Sequence, residues 1–265
     1  PWHAVFADSC RSLEQIFALP HAVASRVGPR LRLPGTDSRF GVPIEDYRTF
    51  RWLCRILRQS LPESLLSLSF HMQSCVVGLG AWGRMASAMA DATLALQSAS
   101  GHAIETLDLG GGWTPSGFDR FLDSGFRRLG TRIRDALPTI RTVIIEPGKA
   151  LCQDHVVLAS RVLEVRHSPG TEVVLDCGLS ELPLAFERPR RLYHVDASGL
   201  ARELSAGDGR ILGRLCMEND ILAKRVEIPT HTRPGDLVIF AGVGAYDTSM
   251  GYDFGRGAPV QGGGH

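Results

Sequence analysis

The sequence predicts an α/β domain built on a parallel sheet, followed by a mostly antiparallel β domain. Three observations carry that expectation. Over residues 1–158, short apolar runs alternate with helical patterns at the spacing of βα units. Over residues 159–265 the helical pattern stops, and brief strand-like runs are separated by turn signals. Finally, three successive runs of the first part end in residues with chemistry: Phe70-His71-Met72-Gln73-Ser74, Gly110-Gly111-Gly112 and Glu146-Pro147-Gly148-Lys149. Loops at the carboxyl ends of parallel strands converge on one face, so a small-molecule site is expected there.

The elements follow in order. Val5-Phe6-Ala7 reads as a strand, with Asp8-Ser9 capping a helix near Arg11 to Arg26. Leu31-Arg32-Leu33 reads as a second strand, leading to a helix near Ile44 to Gln59. Leu66 to His71 precedes a helix near Ala81 to Gln97, and Thr106 to Leu109 precedes one near Phe118 to Ala136. Val143 to Glu146 closes the series as a fifth strand. In the second part, Val173 to Asp176, Arg191 to Val195, Arg225 to Ile228 and Asp236 to Phe240 read as strands. Ser168-Pro169-Gly170, Gly207-Asp208-Gly209 and Arg233-Pro234-Gly235-Asp236 mark the turns between them, and Gly262-Gly263-Gly264 forms a glycine-rich tail.

The 265 residues are 44% hydrophobic and 22% charged, the balance of an ordinary globular chain rather than a disordered one. A net charge of +1 argues against nucleic acid or a charged membrane surface as partner. The apolar stretch Val76 to Leu96 is interrupted by Gly78, Gly80, Gly83, Arg84 and Asp91, so it does not read as a membrane span. The six cysteines show no paired spacing, which points to neither a zinc site nor a disulfide framework and makes a reducing cytoplasm the expected compartment. No metal site is expected.

Each candidate residue has two readings. A bare glycine loop after a strand can close its N–H groups on a phosphate, or it can be a tight turn. Glu146 can hold a protonated ring nitrogen, as carboxylates do in pyridoxal phosphate (PLP) enzymes, or be a solvated strand end. His71 can lie on a cofactor ring or be satisfied by ordinary hydrogen bonds. Cys216 alone would read as a small buried hydrophobe.

Taken in order, these segments resemble the fold-type III PLP-dependent decarboxylases, the ornithine, diaminopimelate and arginine decarboxylase group. The resemblance runs through Asp8-Ser9, Ser38-Arg39-Phe40-Gly41, the His71 segment, Leu107-Asp108-Leu109 with its three glycines, and Ile145 to Lys149. It continues through Val174-Leu175-Asp176-Cys177-Gly178, Gly213 to Asp220, Arg233 to Asp236 and Gly244-Ala245-Tyr246. It implies a (β/α)8 barrel, here represented by about five C-terminal strand–helix units, then a β domain, with active sites shared across a homodimer. By the same resemblance, Gly110, Gly111 and Gly112 cradle the PLP phosphate with support from Ser74, Gly148, Lys149 and Tyr246. His71 lies on the ring, Glu146 pairs with the ring nitrogen, and Arg32 matches an arginine at its strand end. Cys216 matches the thiol that protonates Cα after CO2 leaves. Met217 and Asp220 fall at the substrate end.

Three departures are visible. The family's Schiff-base lysine lies on an early barrel strand, and neither Lys149 nor Lys224, the chain's two lysines beside 27 arginines, stands in its place. The chain therefore reads as lacking its native N-terminus and roughly the first three βα units, and as inactive in this form. Met217 replaces the acid usual after the cysteine. The Arg-Pro usual in diaminopimelate decarboxylases after Asp-x-Gly is replaced by Leu184-Ala185, which disfavours diaminopimelate as substrate. The expected activity is decarboxylation of a basic or modified amino acid in polyamine or specialised metabolism. A non-catalytic relative without the lysine and a racemase of the same fold are the rivals.

Overall fold

The computed structural model describes residues 2–19, 24–36, 38–59, 65–71, 74–122, 125–167, 170–185 and 190–255, without the side chains of 74–82. Met72, Gln73, the Ser168-Pro169 turn and the tail at 262–264 lie outside the described residues. Two units divide at Ala150/Leu151, eight residues before the expected boundary.

The first unit alternates strand and helix. β1 (Trp2–Ala7) leads to α1 (Cys10–Phe17), whose N-cap Ser9 accepts the Ser12 amide at 3.1 Å. β2 (Ala24–Pro29) follows, then the two-residue pair β3 (Leu31–Arg32) and β4 (Val42–Pro43), then α2 (Tyr47–Arg58). β5 (Leu65–Ser69) precedes α3 (Ser74–Ser100), and β6 (Thr106–Asp108) precedes α4 (Pro115–Leu122) and α5 (Gly125–Ala136). β7 (Thr142–Ile144) and α6 (Gly148–Cys152) complete the series. The five long-range strands pair in parallel in the order β1-β2-β5-β6-β7.

This layout corrects the second βα unit. The predicted helix ends nine residues early, at Phe17, and residues 24–26 of its range are strand. Pro20 in the sequence disfavours helix at the residue before it. Ala24 and Val27 then bury themselves in the sheet as strand residues. Leu31-Arg32-Leu33 is not the second sheet strand but the edge of the small β3–β4 pair. The helix expected over Phe118 to Ala136 is two helices, α4 and α5.

Apolar faces of the helices close over the sheet. Leu13 of α1, Leu53 and Leu57 of α2, and Met89 and Leu96 of α3 are completely buried with Leu68 and Leu107. Trp113 packs its ring 5.3 Å from Phe121 and 5.8 Å from Phe126, joining the segment after β6 to α4 and α5. Among the described residues, no helix is long and apolar enough to cross a membrane.

The second unit is one seven-stranded sheet. It contains β8 (Val157–Arg166), β9 (Glu172–Leu175), β10 (Leu192–Val195), β11 (Ala201–Glu203), β12 (Ala206–Leu212), β13 (Ile221–Val226) and β14 (Leu237–Ala241), and a short α7 (Asp247–Met250) follows. Its order is β11-β10-β14-β8-β9-β12-β13, antiparallel except where β9 meets β12. Val162, Leu175, Ile211 and Phe240 form its core. The buried Arg190 and Asp247 pair at 2.7 Å, tying the approach to β10 to α7.

The contact between β2 and β5 admits no side chain at Gly28, because a Cβ there would collide with the Ser67 carbonyl. Gly28→Ala is therefore expected to destabilise the first unit by about 3 kcal/mol through forced backbone displacement. All four tryptophans lie in this unit (Trp2, Trp52, Trp82, Trp113), so the urea midpoint read by tryptophan fluorescence reports it. An unchanged midpoint would contradict this close approach.

Candidate active site

The carboxyl ends of β5, β6 and β7 are locked side by side by backbone bonds. Phe70 N donates to Asp108 O at 3.0 Å, Leu109 N to Ile144 O at 2.9 Å, and Glu146 N to Gly110 O at 3.0 Å. His71, Gly110-Gly111-Gly112 and Glu146 consequently leave three adjacent strands at one place. The glycine loop runs directly against Glu146 and His71, since a Cβ on Gly111 would lie 2.5 Å from the Glu146 carbonyl oxygen and 3.2 Å from His71 Cε1.

The loop is glycine for stated reasons. Gly110 and Gly112 hold φ of 69° and 81°, the left-handed region that disfavours a Cβ. A Cβ on Gly110 would also stand 2.5 Å from Phe70 O. Buried Trp113 anchors the loop from behind, its Nε1 donating to Gly110 O at 3.4 Å.

His71 Nδ1 sits at the centre. It lies 3.2 Å from the Gly111 amide, which can donate to it, and 3.4 Å from Glu146 Oε2. One nitrogen cannot accept and donate at once, so Nδ1 serves either the Gly111 amide as acceptor or, when it carries the hydrogen, Glu146 as donor. The His71 hydrogen bond is the main cause holding the Glu146 carboxyl below its ordinary range, aided by Asp108 and the charge of Arg30 and opposed by burial. Asp108 goes the other way. It is 3% exposed, and burial pushes its carboxyl up to about 7, with the negative Glu146 adding to the rise.

Arg32, the arginine matched in the sequence, is held from its own loop. It lies on β3, hydrogen-bonded to Ser38 O at 3.3 Å and 3.9 Å from Glu45. The arginine just beyond β2 is Arg30, bridged to the sheet opposite Ser69, 3.8 Å from Asp8 and stacked on Phe40 at 5.1 Å. Sequence reasoning missed Arg30 because Gly28-Pro29 masks the end of a true strand; the preceding Val27 was the available signal. Asp108 was also missed, read only as part of a strand. Ser74 opens α3, with its side chain outside the described residues. Gly148 and Lys149 begin α6.

The remaining candidates belong to the second unit. Cys216 and Met217 are exposed on the turn between β12 and β13, flanked by buried Leu215 and Asp220. Asp220, expected at the substrate end, faces inward: its Oδ1 accepts the Leu179 amide at 2.8 Å and its Oδ2 the Leu215 amide at 2.7 Å. A Cβ on Gly213 would strike this carboxylate, and one on Gly178 would stand 2.9 Å from it. Asp220 thus anchors the Cys216 turn and explains both glycines. Tyr246 caps α7 with φ of 74°, a strained conformation for a bulky residue, and is half exposed.

A glycine loop with two left-handed residues, a carboxylate held charged and an adjacent imidazole make a donor set suited to a phosphorylated heterocycle. The class they define is borne out by comparison: residues 23–244 match the family model described as pyridoxal-dependent decarboxylase, C-terminal sheet domain, and the chain belongs to that family. Its cofactor is PLP. Relatives include diaminopimelate decarboxylases of Zymomonas mobilis, 26% identical over 86% of this chain and 55% of theirs, and of Actinosynnema pretiosum, 29% over 94% and 60%. The chain thus spans somewhat more than half the length of these curated relatives. In fold it is similar to the diaminopimelate decarboxylase of M. jannaschii, with TM-score 0.76 at 19% identity over 95% of this chain and 62% of that one. The lysine/ornithine decarboxylase of Vibrio vulnificus gives 0.73 at 22% over 96% and 67%.

Asp220→Ala should cost about 3 kcal/mol, because two buried amides lose their acceptor. Hydrogen exchange at the Leu179 and Leu215 amides should rise together, by a hundredfold or more. Protection equal to the parent would show that Asp220 does not hold the turn.

Proposed function

We propose that this chain is the major part of a PLP-dependent amino-acid decarboxylase, its parallel sheet forming the C-terminal part of a (β/α)8 barrel that binds the cofactor. The observation that carries the reading is the convergence of His71, Gly110 to Gly112 and a charge-stabilised Glu146 at the ends of three adjacent parallel strands. When bound, PLP supplies the electron sink into which the Cα–carboxylate bond releases its pair.

The chain's own residues do the rest. The loop Gly110 to Gly112 seats the phosphate, because no side chain stands in the way. Glu146, held ionised, keeps a proton on the ring nitrogen. His71 lies against the ring face. Tyr246, Gly148, Lys149 and Ser74 assist at the phosphate side. Cys216 donates its proton to Cα once CO2 has left, reaching the site of a partner subunit in a homodimer of shared active sites. Met217 borders the substrate.

The Schiff-base lysine is assigned to sequence other than Lys149, on the short helix α6, and Lys224, on β13. The substrate class is a basic or modified α-amino acid. Met217 in place of an acid and Leu184-Ala185 in place of Arg-Pro separate this pocket from the ordinary ornithine and diaminopimelate ones, even though the curated relatives include diaminopimelate decarboxylases. The protein expressed from its complete reading frame, incubated with PLP and a panel of amino acids, should release CO2 from a member of that class. PLP binding with no release from any amino acid would favour a non-catalytic relative.

In that protein, Glu146→Gln should lower kcat by about 100-fold or more and change PLP affinity far less, because a neutral amide no longer favours the protonated ring. Turnover equal to the parent at saturating PLP would remove Glu146 from this role. Cys216→Ala should keep part of the CO2 release but divert product to aldehyde, with PLP converted to pyridoxamine phosphate, as the proton reaches the wrong carbon. Normal product ratios would argue against the thiol as donor.

A further inference from the structure

Asp108 is the most deeply buried carboxyl of the site and takes no part in the chemistry proposed for Glu146, His71 and Cys216. It lies at the end of β6, in register with Ser69 of β5 and Ile144 of β7, so strands cover it on both sides. Its Oδ1 accepts the Gly110 amide at 2.8 Å. Glu146 is its neighbour at the strand ends, since Asp108 pairs with Ile144 and Glu146 N donates to Gly110 O at 3.0 Å.

Two carboxylates in such contact do not both ionise freely, and the proton resides on the one whose charge is least supported. The groups around the pair decide which. Glu146, from β7, is half exposed and receives His71 from β5 and the field of Arg30 from β2. Asp108 has one backbone amide and the weaker help of His71, against burial and the negative Glu146. Asp8, 3.8 Å from Arg30 Nε, shares that arginine and adds a further negative charge.

We propose that Asp108 is a positioning residue that keeps its proton up to the neutral range and donates it in a hydrogen bond to the Glu146 carboxylate, so that below that range the site presents one negative charge instead of two. The same side chain fixes the first glycine of the loop through Gly110 N–H, so one carboxylic acid couples the loop to the ring-nitrogen carboxylate. The upward push on Asp108 and the downward push on Glu146 fit this division of the proton. The proton assignment stands on the site itself. Its consequence for a bound ring nitrogen rests on the PLP reading.

The test is a carboxyl 13C titration of protein labelled at aspartate. One aspartate should titrate at about 7, and the Gly110 amide, which donates to it, should shift with the same midpoint. Asp108→Asn should abolish that titration. An Asp108 carboxyl that titrates with the exposed aspartates near ~4 overturns the proposal. A second readout is equilibrium binding of pyridoxamine 5′-phosphate, a probe that needs no lysine. Asp108→Leu, which removes both bonds, should weaken it more than tenfold, and Asp108→Asn, which keeps a donor for Glu146 and an acceptor for Gly110, should recover most of the loss. Equal binding by the leucine variant and the parent overturns the positioning role. Failure of the parent to bind the probe counts against the PLP reading instead, while the titration still decides the proton.

Discussion

The parallel register of β5, β6 and β7 is the constraint on which the rest depends. Ser69 stands opposite Asp108, and Asp108 opposite Ile144, so the three strands end level. The backbone bonds Phe70 N to Asp108 O and Glu146 N to Gly110 O carry that level beyond the strands themselves. A slip of one residue on β6 would turn Asp108 out of the interior and move the glycines away from His71. The site is therefore a product of sheet register first and of side-chain chemistry second.

Within that frame the glycines do two jobs. Gly110 and Gly111 permit backbone approaches that any side chain would block, against Phe70, His71 and Glu146. Their amides are also held in place, Gly110 N–H by Asp108 Oδ1 and Gly111 N–H by His71 Nδ1, so the loop keeps one shape. Charge is arranged with the same economy. Glu146 is supported by an imidazole and an arginine, whereas Asp108 is buried beside it with one amide, so their affinities for a proton are driven apart. In the second unit, Asp220 is spent on backbone amides so that Cys216 and Met217 stand exposed on a fixed turn.

Much of this was legible in the sequence, for physical reasons that differ residue by residue. His71, the glycines and Glu146 were visible because each follows a clear apolar run, and a strand ends where its run ends. The β texture after Ala159 showed in its turn residues. Arg30 was not visible, because Gly28 and Pro29 disguise the end of β2 while Leu31-Arg32-Leu33 imitates a strand by alternation alone. The imitation fails because those residues pair with Val42–Pro43 and not with the main sheet. Asp108 was overlooked since its environment is made by neighbouring strands, and nothing local distinguishes a buried acid from an exposed one. The inward bonds of Asp220 were hidden for the same reason: its partners, Leu179 and Leu215, are brought to it by the fold.

The central claim is that the ends of β5, β6 and β7 form a PLP site. The most direct measurement is a crystal structure of the protein from its complete reading frame grown with PLP. The account predicts the phosphate against the Gly110 to Gly112 loop and the ring nitrogen within hydrogen-bonding distance of Glu146, with His71 released from Gly111 to lie on the ring. PLP bound elsewhere, or at these strand ends with Glu146 turned away from the ring nitrogen, would contradict it.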